Sequence, residues 1–148
     1  MNIFRPSPSP LDSARALADR HVIKMALEST QILSTLTGGP YKPTHANHPC
    51  TLWAGASRAN AAWLLAHGHE LCAEYTRRFG RVHGCAAVLA GIDLSTVPDR
   101  DATPPVFCGP DDVTGETVEA RYRVLLARKY AAWGDLARWT NAVRPGWA

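Results

Sequence analysis

From Leu11 to Thr37 the chain contains neither glycine nor proline, and helix punctuation stands on both sides of this stretch. Pro6, Pro8 and Pro10 alternate with serine ahead of it, and Gly38-Gly39-Pro40 closes it. With Asp12-Ser13 offering an N-cap, the pattern predicts one long helix over residues 12–36. Residues 38–50, with three prolines, read as a loop. A second long helix is expected over 52–79, stopped by Gly80, and a shorter one over 84–91. Residues 93–115 are acidic and proline-rich and read as irregular chain. A last helix is expected over 116–133, with a continuation to Ala142 as the alternative. No stretch alternates apolar and polar residues long enough for a strand. The reading is an all-α fold: a single compact domain over residues 1–148, built on two long helices plus shorter C-terminal ones.

Composition narrows the function classes. Of the 148 residues 46% are hydrophobic and 20% charged, too apolar for a disordered chain. No apolar run reaches the ~18 residues of a membrane span. No apolar stretch follows a basic start, so a cytoplasmic protein without a secretory signal is expected. Cys50, Cys72, Cys85 and Cys108 form no CxxC pair and are expected as free thiols. The net charge of +3 is unevenly spread: residues 93–120 hold one Lys/Arg against seven Asp/Glu, and residues 121–148 hold six against one. The basic end also carries Trp133, Trp139 and Trp147, a combination suited to a polyanion.

Within the first helix, Leu17, His21, Lys24, Glu28 and Gln31 fall on one face, flanked by Val22, Met25, Ala26, Leu33 and Leu36. A narrow polar stripe in apolar surroundings is a poor solvent face and a good site. An amine freed of its proton is a nucleophile, and a neighbouring carboxylate can move protons. The plainer reading is a surface ion pair between Lys24 and Glu28, four residues apart. In the second helix Asn60, His67 and Glu74 share a spacing with Trp53 and Trp63, and His67 is read as a core or interface residue.

The loop Tyr41-Lys42-Pro43-Thr44-His45-Ala46-Asn47-His48-Pro49-Cys50 is dense in polar groups. His45, His48 and Cys50 are zinc-ligand types, but their spacing matches no standard zinc pattern, and no metal is expected. Lys42, Thr44, His45, Asn47 and His48 are instead candidates for contact with a phosphate or a base. A proline-stiffened connection is the alternative. No glycine-rich phosphate loop, nucleophile elbow or HExxH is present.

The run Leu17-Ala18-Asp19-Arg20-His21, with Glu28 seven residues beyond the histidine, resembles the first helix of pyrimidine dimer DNA glycosylases of the phage endonuclease V type. Trp63-Leu64-Leu65, Glu70-Leu71, Glu74-Tyr75 and Arg77-Arg78-Phe79-Gly80 are similar to that family's second long helix, and Arg144-Pro145-Gly146-Trp147 to its RPxW element. The resemblance implies an all-α domain that binds and kinks double-stranded DNA. It also implies an N-glycosylase with abasic-site lyase chemistry, in which an amine attacks the sugar without metal or cofactor. Glu28 takes the place of the family's catalytic glutamate and His21 that of its sugar-phosphate-holding histidine. The nucleophile would be an N-terminal amine, of Met1 if it is retained or of Asn2 if it is removed, or else Lys24. Two places where the family has DNA-gripping arginines hold Leu27 and Gln31. Phosphate contacts are expected from Arg77, Arg78, Arg81, Arg121, Arg123 and Lys42, with Arg144 and Trp147 at the C-terminal element. A monomer is favoured. Two rivals stay open: a base- or nucleotide-modifying enzyme on the same scaffold, and a non-catalytic DNA-binding protein.

Overall fold

A computed structural model describes all residues, 1–148, and contains helices and no strands. The all-α expectation holds, but both long helices are broken in two. The order is α1 (Pro10–Ala16), α2 (Asp19–Thr37), α3 (Pro49–Ala56), α4 (Arg58–Phe79), α5 (Ala86–Ala90) and α6 (Val118–Trp133), followed by a 3-10 turn, Gly134–Leu136.

The first break falls at Leu17–Ala18, where both residues turn extended (ψ 143° and 157°). Breaking a helix strands amides and carbonyls, and a buried break survives only if other groups take them up. Here distant parts of the chain do so. The Arg78 guanidinium donates to the carbonyls of Leu17 (2.9 Å) and Arg15 (3.0 Å), and Trp139 Nε1 donates to Ala16 O (3.2 Å). The Ala18 amide donates to the Tyr130 hydroxyl (3.1 Å) and the Asp19 amide to Arg138 O (2.8 Å). Leu17 is therefore fully buried in the break and not part of the polar stripe.

The second break is at Ser57, which is extended (φ −153°, ψ 150°) and caps α4 by accepting from the Asn60 amide. Gly38 and Gly80 end α2 and α4 in the left-handed region, at φ 70° and 66°. The last helix stops at Trp133, as expected, without continuing to Ala142, and residues 137–148 run as turns against the body of the protein.

α2 and α4 form the most extensive helix pair. Gly68 of α4 leaves room for α5: a Cβ there would stand 3.1 Å from the Leu89 side chain. A core of 25 buried apolar residues runs through all six helices and includes Ile3 and Phe4. Those two anchors hold the N-terminal residues inside the fold. No helix is long and apolar enough to cross a membrane.

Candidate active site

Burial of Ile3 and Phe4 carries Met1 and Asn2 to the middle of α2. The Asn2 amide donates to Glu28 Oε2 over 2.7 Å, and the Met1 amine lies 3.9 Å from the same oxygen. Lys24 Nζ stands 3.4 Å from the other carboxylate oxygen, Oε1. Glu28 is buried while the Lys24 side chain is 67% exposed. The carboxylate thus faces a main-chain amide, an α-amine and an ε-amine together.

Asn2 is itself fixed. Its side-chain amide donates to Cys108 O (2.7 Å), and its Oδ1 accepts from the Tyr122 hydroxyl (3.0 Å). The Cys50 thiol lies 3.8 Å from the same oxygen.

His21 is 4% exposed, with its ring between Phe4 and Trp133 at centroid distances of 4.6 and 4.7 Å. Burial, helped by the charges of Lys129 and Lys24, lowers its pKa to about 3. It is therefore neutral at neutral pH. Its Nδ1 lies 3.0 Å from the Tyr130 hydroxyl, which already accepts from Ala18 and so has its proton free for the ring.

A cavity of about 500 Å³ opens over this group. Met1, Asn2, His21, Lys24 and Glu28 line it together with apolar Phe4, Met25, Leu125 and Trp133. Arg20, Lys24 and Lys129 supply three cations, and Cys108, Gly109 and Pro110 form a wall. Gly109 is needed there, since a Cβ would stand 2.5 Å from the Phe107 ring. One buried carboxylate among cations is a setting for a phosphate-bearing substrate. Sequence reading had not singled out Arg20, Lys129, Tyr122, Tyr130 or Cys108. Arg20 lies inside the Leu17–His21 run and was within reach; the other four depend on tertiary placement.

The loop residues divide. Lys42 and Thr44 line a groove with Leu27, Gln31 and Tyr41, so they sit beside the outer face of α2. His45 is exposed, in the left-handed region (φ 51°), with Nδ1 2.6 Å from Thr44 Oγ1; Asn47 is exposed. His48 points elsewhere: it caps α3, its Nδ1 accepting from the Cys50 amide (3.2 Å).

The basic residues divide as well. Arg78 is a correction, because its guanidinium is wholly inside the fold. It pairs with Glu74 (2.8 Å) and Asp19 (2.9 Å) and holds the α1–α2 break, leaving nothing to offer a phosphate. Burial pushes the Glu74 carboxyl up, but Arg77 and Arg78 outweigh it and hold it below the usual carboxylate range. Arg77 is exposed but engaged with Glu74 and Asn141 O. Arg81 is exposed at the end of α4. Arg121 and Arg123 spend Nε on Val113 O and Pro6 O, and Arg144 lies over Trp139 with Trp147 half-buried nearby in sequence. None of these lines the cavity at Glu28. His67 is fully buried, stacked on Trp63 and bonded to Pro10 O (3.1 Å), away from the stripe as expected of a core histidine.

The family model for pyrimidine dimer DNA glycosylase matches residues 1–85, more than half of the chain. The chain belongs to that family. No curated protein and no solved structure shows significant similarity to it. The matched region of this pyrimidine dimer DNA glycosylase family member holds Met1, Asn2, His21, Lys24 and Glu28. Lys129 and the Cys108–Pro110 wall lie beyond it. Membership makes DNA the substrate class.

Proposed function

We propose that the protein is a DNA N-glycosylase with abasic-site lyase activity, acting on a damaged or modified pyrimidine in double-stranded DNA. The observation that carries this reading is the meeting of the α-amine and the Glu28 carboxylate, 3.9 Å apart.

An amine must shed a proton before it attacks, and Glu28 is the acceptor at hand. The amine nitrogen attacks C1′ of the deoxyribose, and the bond from C1′ to the base breaks with its electron pair leaving on the base. The proton held by Glu28 is available to that base or to the ring oxygen as the sugar opens. The negative carboxylate also stabilises the positive charge that develops at C1′. Loss of the second nitrogen proton leaves an imine. Removal of a C2′ proton then expels the 3′ phosphate, and water hydrolyses the imine to free the amine. The scheme needs only the chain's own amine and carboxylate.

Both processing states supply an amine. With Met1 present its nitrogen is the nucleophile; with Met1 removed, the nitrogen of Asn2, already 2.7 Å from Glu28, takes its place. A second reading, with Lys24 as nucleophile, draws on the 3.4 Å approach of Nζ to Oε1. Arg20 and Lys129 would hold the flanking phosphates, with Lys42 and Thr44 along the adjoining groove. Neutral His21 would contribute a hydrogen bond rather than a charge.

Borohydride trapping on a duplex with one abasic site tests this. A cross-link mapped by mass spectrometry to the N-terminal residue is the expected result. A cross-link at Lys24 would move the nucleophile. Intact DNA binding without any cross-link would remove the imine mechanism.

A further inference from the structure

His48, Cys50 and Cys108 converge at one point beside Asn2. One ligand atom from each lies within 4.8 Å of the other two. The two sulfur atoms are 3.1 Å apart, yet both thiols are free. Each residue is held in place by the surrounding fold. His48 and Cys50 open α3, where Pro49 at the first helical position sets the chain direction. Cys108 arrives from the irregular 93–115 segment, its amide donating to the Tyr122 hydroxyl (3.1 Å) and its carbonyl accepting from Asn2 (2.7 Å). The donors are thus gathered by the fold before any ion arrives.

Two sulfurs and an imidazole form a soft to borderline donor set, which selects zinc over magnesium or calcium. We propose that His48, Cys50 and Cys108 bind one zinc ion, which clamps the walls around Asn2. Each cysteine gives its S–H proton to solvent and forms a sulfur–zinc bond. The neutral imidazole gives its Nδ1 lone pair, which leaves the Cys50 amide for the ion while the proton stays on Nε2, and a water completes the tetrahedron. Two thiolate charges cancel the charge of the ion, so the partly buried corner acquires no net charge. The ion joins the start of α3, with the loop that leads into it, to the 108 segment, two parts of the chain that lie far apart in sequence. Because Asn2 is bonded to Cys108 and lies against Cys50, the clamp also holds the N-terminal residues in front of Glu28. Only this last consequence rests on the proposed function; the binding itself stands on the ligand geometry.

The test uses the full-length, untagged protein, reduced and stripped of metal, titrated with zinc against a chromophoric chelator and separately with cobalt. The expected result is one zinc per chain and a cobalt spectrum with thiolate charge-transfer and tetrahedral bands. Cys108→Ser should weaken zinc by more than about 100-fold, while the exposed His45→Ala changes nothing. The metal-free C108S protein should match the metal-free parent in circular dichroism, showing that its fold is intact. Substoichiometric zinc, an unchanged affinity in C108S, or a mass two hydrogens short with Cys50 joined to Cys108 under reducing conditions would each overturn the proposal. None of these readouts involves DNA, so the fate of the glycosylase reading is decided separately.

Discussion

The backbone amide of Asn2 and the carboxylate of Glu28 are joined by a 2.7 Å hydrogen bond across 26 residues of sequence. That bond delivers an amine to a buried acid without spending a side chain on it. Glu28→Gln keeps an acceptor for the Asn2 amide but loses the charge and the proton acceptor. Turnover on a lesion-bearing duplex should fall by about 10²–10⁴-fold with duplex affinity within a few-fold of the parent. Gel-shift and single-turnover assays on the same preparation check this; parallel loss of both would assign Glu28 to binding.

Arg78 should matter to stability and not to DNA. Arg78→Met leaves Glu74 and Asp19 without their buried partner and the Arg15 and Leu17 carbonyls without a donor. A loss of about 3–5 kcal/mol is expected in urea unfolding. The salt dependence of duplex binding should not change where the protein stays folded.

Acid should destabilise the protein from below pH 6.5. His21 and His67 are held neutral by burial, with pKa values near 3 and 4, and His67 Nε2 has no acceptor for an added proton. The unfolded chain therefore binds more protons below the ordinary histidine value of 6.5, and stability falls as pH drops from there toward 4. The slope should reach about 1.4 kcal/mol per pH unit for each ring. Urea titrations from pH 7 to 4.5 measure it, and His67→Asn should give the shallower curve of one ring fewer.

Duplex affinity should fall steeply with salt, as phosphate contacts release counterions. Lys129→Ala and Arg20→Ala should each lower the log–log slope by about 1. Arg81→Ala, at the far end of α4, should leave it unchanged. Fluorescence anisotropy across a salt series separates these outcomes.

Helix class and most helix ends were legible because capping and stop residues are local: Gly38, Gly80 and Pro49 sit at boundaries. Ser57, an N-cap residue type inside the expected 52–79 helix, was read through, and the structure breaks the helix there. The Leu17–Ala18 break was not legible, since no residue there disfavours helix; Arg78, Tyr130, Arg138 and Trp139 make it from far along the chain. The Lys24–Glu28 pair followed from spacing alone. The expectation for Met1 and Asn2 came only through the family resemblance, because their position depends on where Ile3 and Phe4 find cover. Arg78 looked like a surface cation beside Arg77, and only its neighbours in space show otherwise.

The clasp at the start of α2 has a bearing on the order in which the protein is made. Arg138 O takes the Asp19 amide, and the Asp19 carboxylate accepts from both the amide and the hydroxyl of Thr140. A ribosome emits residues 19–28 long before residues 138–140. The nascent chain therefore carries the first turn of α2, and the acid it positions, in an unfinished setting through most of synthesis. The cavity is completed only when the 108–110 segment and α6, with Leu125, Lys129 and Trp133, fold back onto α2.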